Sequence, residues 1–149
     1  MSSETDGSTY RGFLADLHED DLTVVLDHTQ AREYLPGEFA VREGELDRSF
    51  FIVSRGRFAV RIPAADRPRQ VRILAPGDLF GEVAFFDGRP RSADVVALEE
   101  AEALVLTPAS FQHLRLSHPR LALSFVLDLG RVLSERFRAS DALAIGAYQ

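Results

Sequence analysis

Apolar residues change their spacing twice along the chain, and each change marks a new kind of element. From Phe13 the spacing is helical: Phe13, Leu14 and Leu17, then Leu22, Val25 and Leu26, recur three and four residues apart. The acidic run Glu19-Asp20-Asp21 suits a first helical turn, where the backbone dipole favours negative charge. Past Gln30 the period shortens. Segments 31–35, 39–42, 49–54, 57–62, 71–74, 93–98 and 102–107 read as short strands rich in strand-forming residues. Pro36-Gly37 and Pro76-Gly77 punctuate them, Arg55-Gly56 reads as a tight hairpin turn, and 63–70 is a polar loop with two prolines. Such punctuation, roughly every 8–12 residues, predicts an antiparallel sandwich or barrel.

After Thr107 the period returns to that of a helix. Thr107 is a good N-cap and Pro108 a good first helical residue, so a short helix is expected to about Ser117. His118-Pro119 breaks it. Leu121, Phe125, Leu129, Val132 or Leu133, and Phe137 then mark a long amphipathic helix over about 119–141. Gly130 inside it costs about 1 kcal/mol relative to alanine and marks a close contact or a flex point. The expected architecture is mainly β with flanking helices, an α+β chain. A polar leader covers 1–10, a single domain 11–141, and a weakly patterned, frayed tail 142–149.

Composition narrows the function. The chain has 149 residues, which suits one domain. Seventeen basic residues, all arginine, against 23 acidic ones give a net charge of −6. That disfavours nucleic acid as the partner, because affinity for it comes largely from phosphate neutralisation. Cysteine is absent, which removes disulfides, thiolate nucleophiles and iron–sulfur clusters. No apolar run reaches about 18 residues, so no membrane partner is expected, and no signal peptide is legible at the N-terminus. A cytoplasmic location is the expectation. His18, His28, His113 and His118 show no i,i+4 pairing, and no metal site is expected. Neither a G-x-S-x-G, a Walker A motif nor a paired-carboxylate constellation occurs, so no enzyme is expected.

One segment departs from the strand pattern, 78–94, with two glycines, a proline and two arginines between strand-like flanks. Gly81-Glu82-Val83-Ala84 suits a short helical turn with free N–H groups. Arg91 follows Pro90, which limits where its guanidinium can point. An arginine fork beside free amides suits a phosphate, and Glu82 could accept from sugar hydroxyls. A plain structural loop, with Arg91 paired to Glu82 or Asp94, fits the residues equally well.

The run Gly81-Glu82-Val83-Ala84, followed after five residues by Pro90-Arg91-Ser92-Ala93, resembles the phosphate-binding cassette of cyclic nucleotide-binding domains. The resemblance covers about 13–138, with matching glycines at 37, 44, 56 and 77. It implies an eight-stranded antiparallel β-roll, jelly-roll-like, with an N-terminal helix and two C-terminal helices. It implies cAMP or cGMP as ligand. Arg91 would pair with the phosphate, Glu82 would accept from the ribose 2′-OH, and the amides of Gly81, Ala84 and Ser92 would complete the contacts. The Ser92 hydroxyl is associated with tolerance of cGMP, and Leu74 and Val83 would pack near the base. The last helix would close as a lid, with Leu129, Val132, Leu133 and Phe137 as candidates; core or dimer packing is the plainer role for each. Phe85 and Phe86 depart from the family, standing where smaller aliphatics are frequent.

Two functions follow. In the first, a stand-alone cyclic nucleotide sensor signals through its C-terminal helix to an unidentified protein effector in trans or to a missing output domain, with a homodimer through that helix. In the second, the fold is kept as a non-binding interaction or dimerisation module, its homodimer formed by Leu121, Phe125, Leu129 and Val132 on one side of the long helix. A third, an enzyme acting on a cyclic nucleotide, lacks a visible base or metal cluster.

Overall fold

The computed structural model describes residues 13–63, 66 and 69–147. The expected leader at 1–10 lies outside the described residues. Helix α1 (Glu19–Asp27) leads into strands β1 (Gln30–Tyr34), β2 (Phe39–Val41), β3 (Phe50–Arg55), β4 (Phe58–Ile62), β5 (Arg69–Leu74) and β6 (Leu79–Phe80). Helix α2 (Glu82–Asp87), strands β7 (Asp94–Ala97) and β8 (Ala101–Leu106), and helices α3 (Pro108–Ser117) and α4 (Pro119–Ala147) follow. The eight strands form two antiparallel four-stranded sheets, ordered β1-β8-β3-β6 and β2-β7-β4-β5. This is the eight-stranded antiparallel β-roll with flanking helices implied by the resemblance.

Strand alternation builds two cores from one sequence. Phe51, Val53 and Phe80 of the first sheet meet Val41, Phe58, Leu74 and Val95 of the second. Phe51 and Phe80 stack with centroids 4.6 Å apart. Phe50, one residue along, points the opposite way and joins Val25, Leu114, Phe125, Leu129 and Val132 from the helices. There Phe13, Phe50, Phe111 and Phe125 meet at 5.1 to 5.8 Å. Phe85 adds to this cluster through Phe50 and Phe111. The two departures in the cassette thus differ: Phe85 packs against the core, while Phe86 is largely exposed.

Three local readings are corrected. Residues 13–17 form a turn, not the first part of a helix. Leu14 adopts a left-handed φ of 66° and its N–H donates to Asp128 Oδ2 at 2.5 Å, so a tertiary bond to α4 overrides the local helical spacing. Arg55-Gly56 is no hairpin, because β3 and β4 lie in different sheets. Gly56 has a φ of 77°, and a Cβ there would lie 2.4 Å from the carbonyl of Glu100, so this corner requires glycine. At the other end, α4 runs to Ala147, past the end read from the pattern.

Candidate functional site

The cassette begins where β6 ends. Gly81 turns the chain with a φ of 81°, and α2 starts at Glu82. A Cβ at Gly81 would lie 2.8 Å from the Ser49 carbonyl and 3.0 Å from Arg91 Nη1. The glycine is therefore needed both for the turn and for the arginine beside it. Arg48 donates to the carbonyls of Ala84 and Phe85, at 3.4 and 3.2 Å, and ties the end of α2 to the β2–β3 loop.

Arg91 is the most constrained side chain of the site. Its backbone is fixed to the same loop by two bonds, Arg91 N–H to Glu45 O and Gly44 N–H to Arg91 O, both 2.8 Å. Its side chain is 3% exposed. Nη1 donates to Gly81 O at 2.9 Å, and Nη2 donates to Ser49 O at 2.7 Å and to Asp47 Oδ2 at 3.2 Å. Nε–H is buried with no acceptor on the protein. The ion-pair partner is Asp47, not Glu82 or Asp94; Asp94 instead accepts from the Glu43 amide. Burial opposes ionisation of Asp47, but hydrogen bonds from Ser49 and the Arg91 charge outweigh it and hold the carboxyl below its usual range.

Above this floor lies a cleft of about 450 Å³. Val41, Val60, Val71, Leu74 and Val95 of the second sheet give it an apolar wall. Every residue assigned to ligand contact by the cassette resemblance lines it: Leu74, Gly81, Glu82, Val83, Ala84, Arg91 and Ser92. Val83 is more than half exposed and so sits at the mouth. Arg72, Arg89 and Arg136 also line the cleft, so Arg91 is not its one cation. An apolar wall opposite a few fixed polar groups is the usual make-up of a small-molecule site.

The last helix meets the cleft through a residue that was not foreseen. Leu129 and Val132 are fully buried in the helix-side core, and Phe137 is 71% exposed, so none of the three faces the cleft. Leu133 is half-buried and does not line it either. Arg136 does. Its Nη1 lies 2.8 Å from Glu82 Oε1, and its Nη2 donates to Leu79 O at 3.2 Å. Both side chains of this pair are largely shielded from solvent. A signal for Arg136 did exist. It continues the buried series 121, 125, 129, 132, a charged residue where the spacing calls for an apolar one.

Comparison with known proteins gives the family of this fold. The family model described as cyclic nucleotide-binding domain matches residues 31–118. The chain is 33% identical over 111 residues to cGMP-dependent protein kinase 2 of Homo sapiens, covering 68% of this chain and 15% of the kinase. It is 29% identical over 126 residues to the Cyclic AMP receptor protein of Thermus thermophilus, covering 84% of this chain and 56% of that protein. The crystal structure of Thermus thermophilus Catabolite Activator Protein superposes with a TM-score of 0.79 at 26% identity, over 91% of this chain and 62% of that one. The regulatory domain of Toxoplasma gondii PKA, solved with cAMP, gives 0.68 at 28% identity, over 83% and 45%. The chain therefore spans only part of the length of each of these proteins.

Proposed function

The chain belongs to the cyclic nucleotide-binding domain family, and from that premise we propose that it is a regulatory domain that senses cAMP or cGMP in this cleft. The observation that carries the reading is Arg91: a buried guanidinium on the cleft floor, held by Gly81, Ser49 and Asp47, with its Nε–H left over. A cyclic phosphodiester carries one negative charge and accepts such bonds. Each charge-assisted bond contributes about 1.5–3 kcal/mol. The amides of Gly81, Ala84 and Ser92 are assigned to the same ligand, and Leu74 with the neighbouring valines to its base.

Arg136 gives the lid a mechanism. Glu82 is the acceptor assigned to the ribose 2′-OH, yet it is paired with Arg136 of α4. A bound sugar adds a donor to that carboxylate and so acts directly on the contact that holds α4 to the cassette. The ligand shifts α4 only by its differential affinity for the two arrangements. A protein effector, in trans or in a longer chain, would read that shift.

The same reading makes the domain a binder and not an enzyme. Its cleft offers cations and donors suited to holding a phosphodiester, and its assigned carboxylate is engaged by Arg136. Incubation with cAMP is expected to yield no AMP. Among the described residues no helix is long and apolar enough to cross a membrane, and a cytoplasmic location is part of the proposal.

A homodimer through α4 is proposed on two observations, and on a different face from the one read in the sequence, because Leu121, Phe125, Leu129 and Val132 are buried in the domain's own core. Leu123, Leu127 and Phe137 are exposed, and with Gly130 and Ser134 they follow the alternating four–three spacing of a coiled-coil seam. A Cβ on Gly130 would meet nothing within 4 Å, so the protein's own packing does not demand glycine there.

The test is isothermal titration of nucleotide-stripped protein with cAMP and with cGMP, with Arg91→Ala as control. Micromolar binding lost in the control supports the sensor, and the ratio of the two affinities names the signal. The alternative, a non-binding interaction module, draws on the Arg136–Glu82 pair, which closes the sugar side of the cleft from within. No binding at millimolar nucleotide would favour it.

A further inference from the structure

The fold brings together two histidines that lie ninety residues apart in sequence, His28 and His118, with ring centroids 6.4 Å apart at 80°. Each ends a helix: His28 is the C-cap of α1 and His118 the C-cap of α3. Each ring is fixed through Nδ1. His28 Nδ1 lies 2.8 Å from the carbonyl of Val24, which can only accept, so Nδ1 carries the proton. His118 Nδ1 lies 2.9 Å from Ser117 Oγ. That hydroxyl already donates to His113 O at 2.7 Å, so toward His118 it can only accept. In its neutral form each ring therefore presents a bare Nε2 lone pair. Fixing the outer nitrogen by hydrogen-bonding the inner one to a carbonyl or similar acceptor is how metal-ligating histidines are prepared.

The carbonyl ends of α1 and α3, both negative ends of helix dipoles, reach the pair, while His118 also precedes the first turn of α4, whose N-terminal end is positive. Asp27 precedes His28, and no basic residue stands in the last turn of α1. Arg115, in the last turn of α3, is turned to Gln112 at 2.9 Å. We propose that His28 and His118 form a two-imidazole site for a divalent first-row transition ion such as Zn²⁺ or Ni²⁺, with water completing its coordination. Imidazole suits these ions. With metal–nitrogen bonds of about 2.0–2.1 Å, one shared ion sets the ring centres about 5.2 Å apart at a tetrahedral angle and about 6.4 Å apart in line. The observed 6.4 Å equals the in-line separation, and a tetrahedral ion would need the ring centres about 1.2 Å closer. Among the described residues no group of three or more potential ligands gathers, so this is a labile site and not a structural zinc. It would tie the end of α1 to the joint between α3 and α4, the base of the helix that carries Arg136.

The test is titration of the metal-stripped full chain with Zn²⁺, and separately Ni²⁺, read by calorimetry and by long-range ¹H–¹⁵N correlation of the histidine rings. Before metal, both rings should show protonated Nδ1 and bare Nε2. The expected result is one ion per chain, with Zn²⁺ shifting Nε2 of His28 and His118 together. His28→Gln and His118→Gln should each weaken binding about tenfold or more, as should Ser117→Ala, which releases the tautomer of His118. His113→Gln should leave it unchanged. Binding that survives the double variant, a Zn²⁺ shift at one ring alone, or no binding at millimolar metal would overturn the proposal. The ring spectra use the unaltered protein, so a variant that fails to fold does not decide the matter.

Discussion

Arg91 serves the fold and the ligand at once, and the two duties can be separated by substitution. Arg91→Ala removes the cation from the cleft floor and leaves Asp47 and two carbonyls without their donor. The expected loss of nucleotide affinity is about 3 kcal/mol, a hundredfold or more, read by calorimetry. Arg91→Lys keeps the charge but cannot reach Gly81, Ser49 and Asp47 together, so it should recover little of that loss. Affinity within threefold of wild type for Arg91→Ala would end the assignment. Asp47 supplies a pH dependence whose sign is fixed. Its folded-state carboxyl lies below the ordinary value of 3.8, so the stability it contributes is present above that value and lost as pH falls through the lower folded one. Acid titration of the unfolding midpoint should show a drop below about pH 4 that is smaller in Asp47→Asn. Arg136 and Glu82 belong to the same set of tests. If the pair holds α4 to the cassette, Arg136→Ala should free the helix while leaving the phosphate contacts in place. Hydrogen exchange of the α4 amides should then rise without nucleotide, and unchanged exchange would count against the lid.

The turn between β6 and α2 shows why the cassette could be read from sequence and the lid could not. Glycine and proline write backbone geometry directly into the chain. Gly81 has a left-handed φ, and a side chain there would collide with Ser49 and Arg91. Pro90 stands immediately before Arg91, whose backbone is bonded on both sides to the β2–β3 loop. A spacing of glycine, glutamate, proline and arginine therefore specifies a shape. Asp47 and Ser49 gave no such signal, because they reach Arg91 from another loop, and only the tertiary fold sets that distance. The same holds for α4. Its helical period was plain, but the face it turns to the cleft depends on how Phe125, Leu129 and Val132 seat against Phe50 and α3. Residues 13–17 were misread for a related reason: their apolar spacing serves Phe50 and Phe125 from a turn that Asp128 holds. Gly81→Ala tests the backbone argument. Alanine at this φ costs about 1–2 kcal/mol before any clash. The variant should lose stability by thermal melting and also lose nucleotide affinity, because the nearest obstacle on the ligand side is Arg91 Nη1 itself.

Among the described residues, the two sheets and their helices form the cleft and leave an apolar seam exposed on α4. Gly130 decides what the seam is for. A glycine within a helix costs about 1 kcal/mol relative to alanine, and the space around it in this chain is empty. If α4 faced only water there, Gly130→Ala would raise the melting temperature and change nothing else. If a second α4 crosses at Gly130 and Ser134, the glycine permits the approach, and flanking Leu127 and Phe137 are covered by it. The second case is the one expected. The wild-type chain should then scatter light with twice the chain mass. Gly130→Leu should convert it to monomer by forcing the helices apart, and Leu127→Glu should do the same by burying a charge in the seam. Circular dichroism of both variants should retain the wild-type helix content, since neither position packs within its own domain. A monomeric wild type with a stabilised Gly130→Ala variant would instead leave α4 as a single helix, with only Arg136 carrying the state of the cleft away from it.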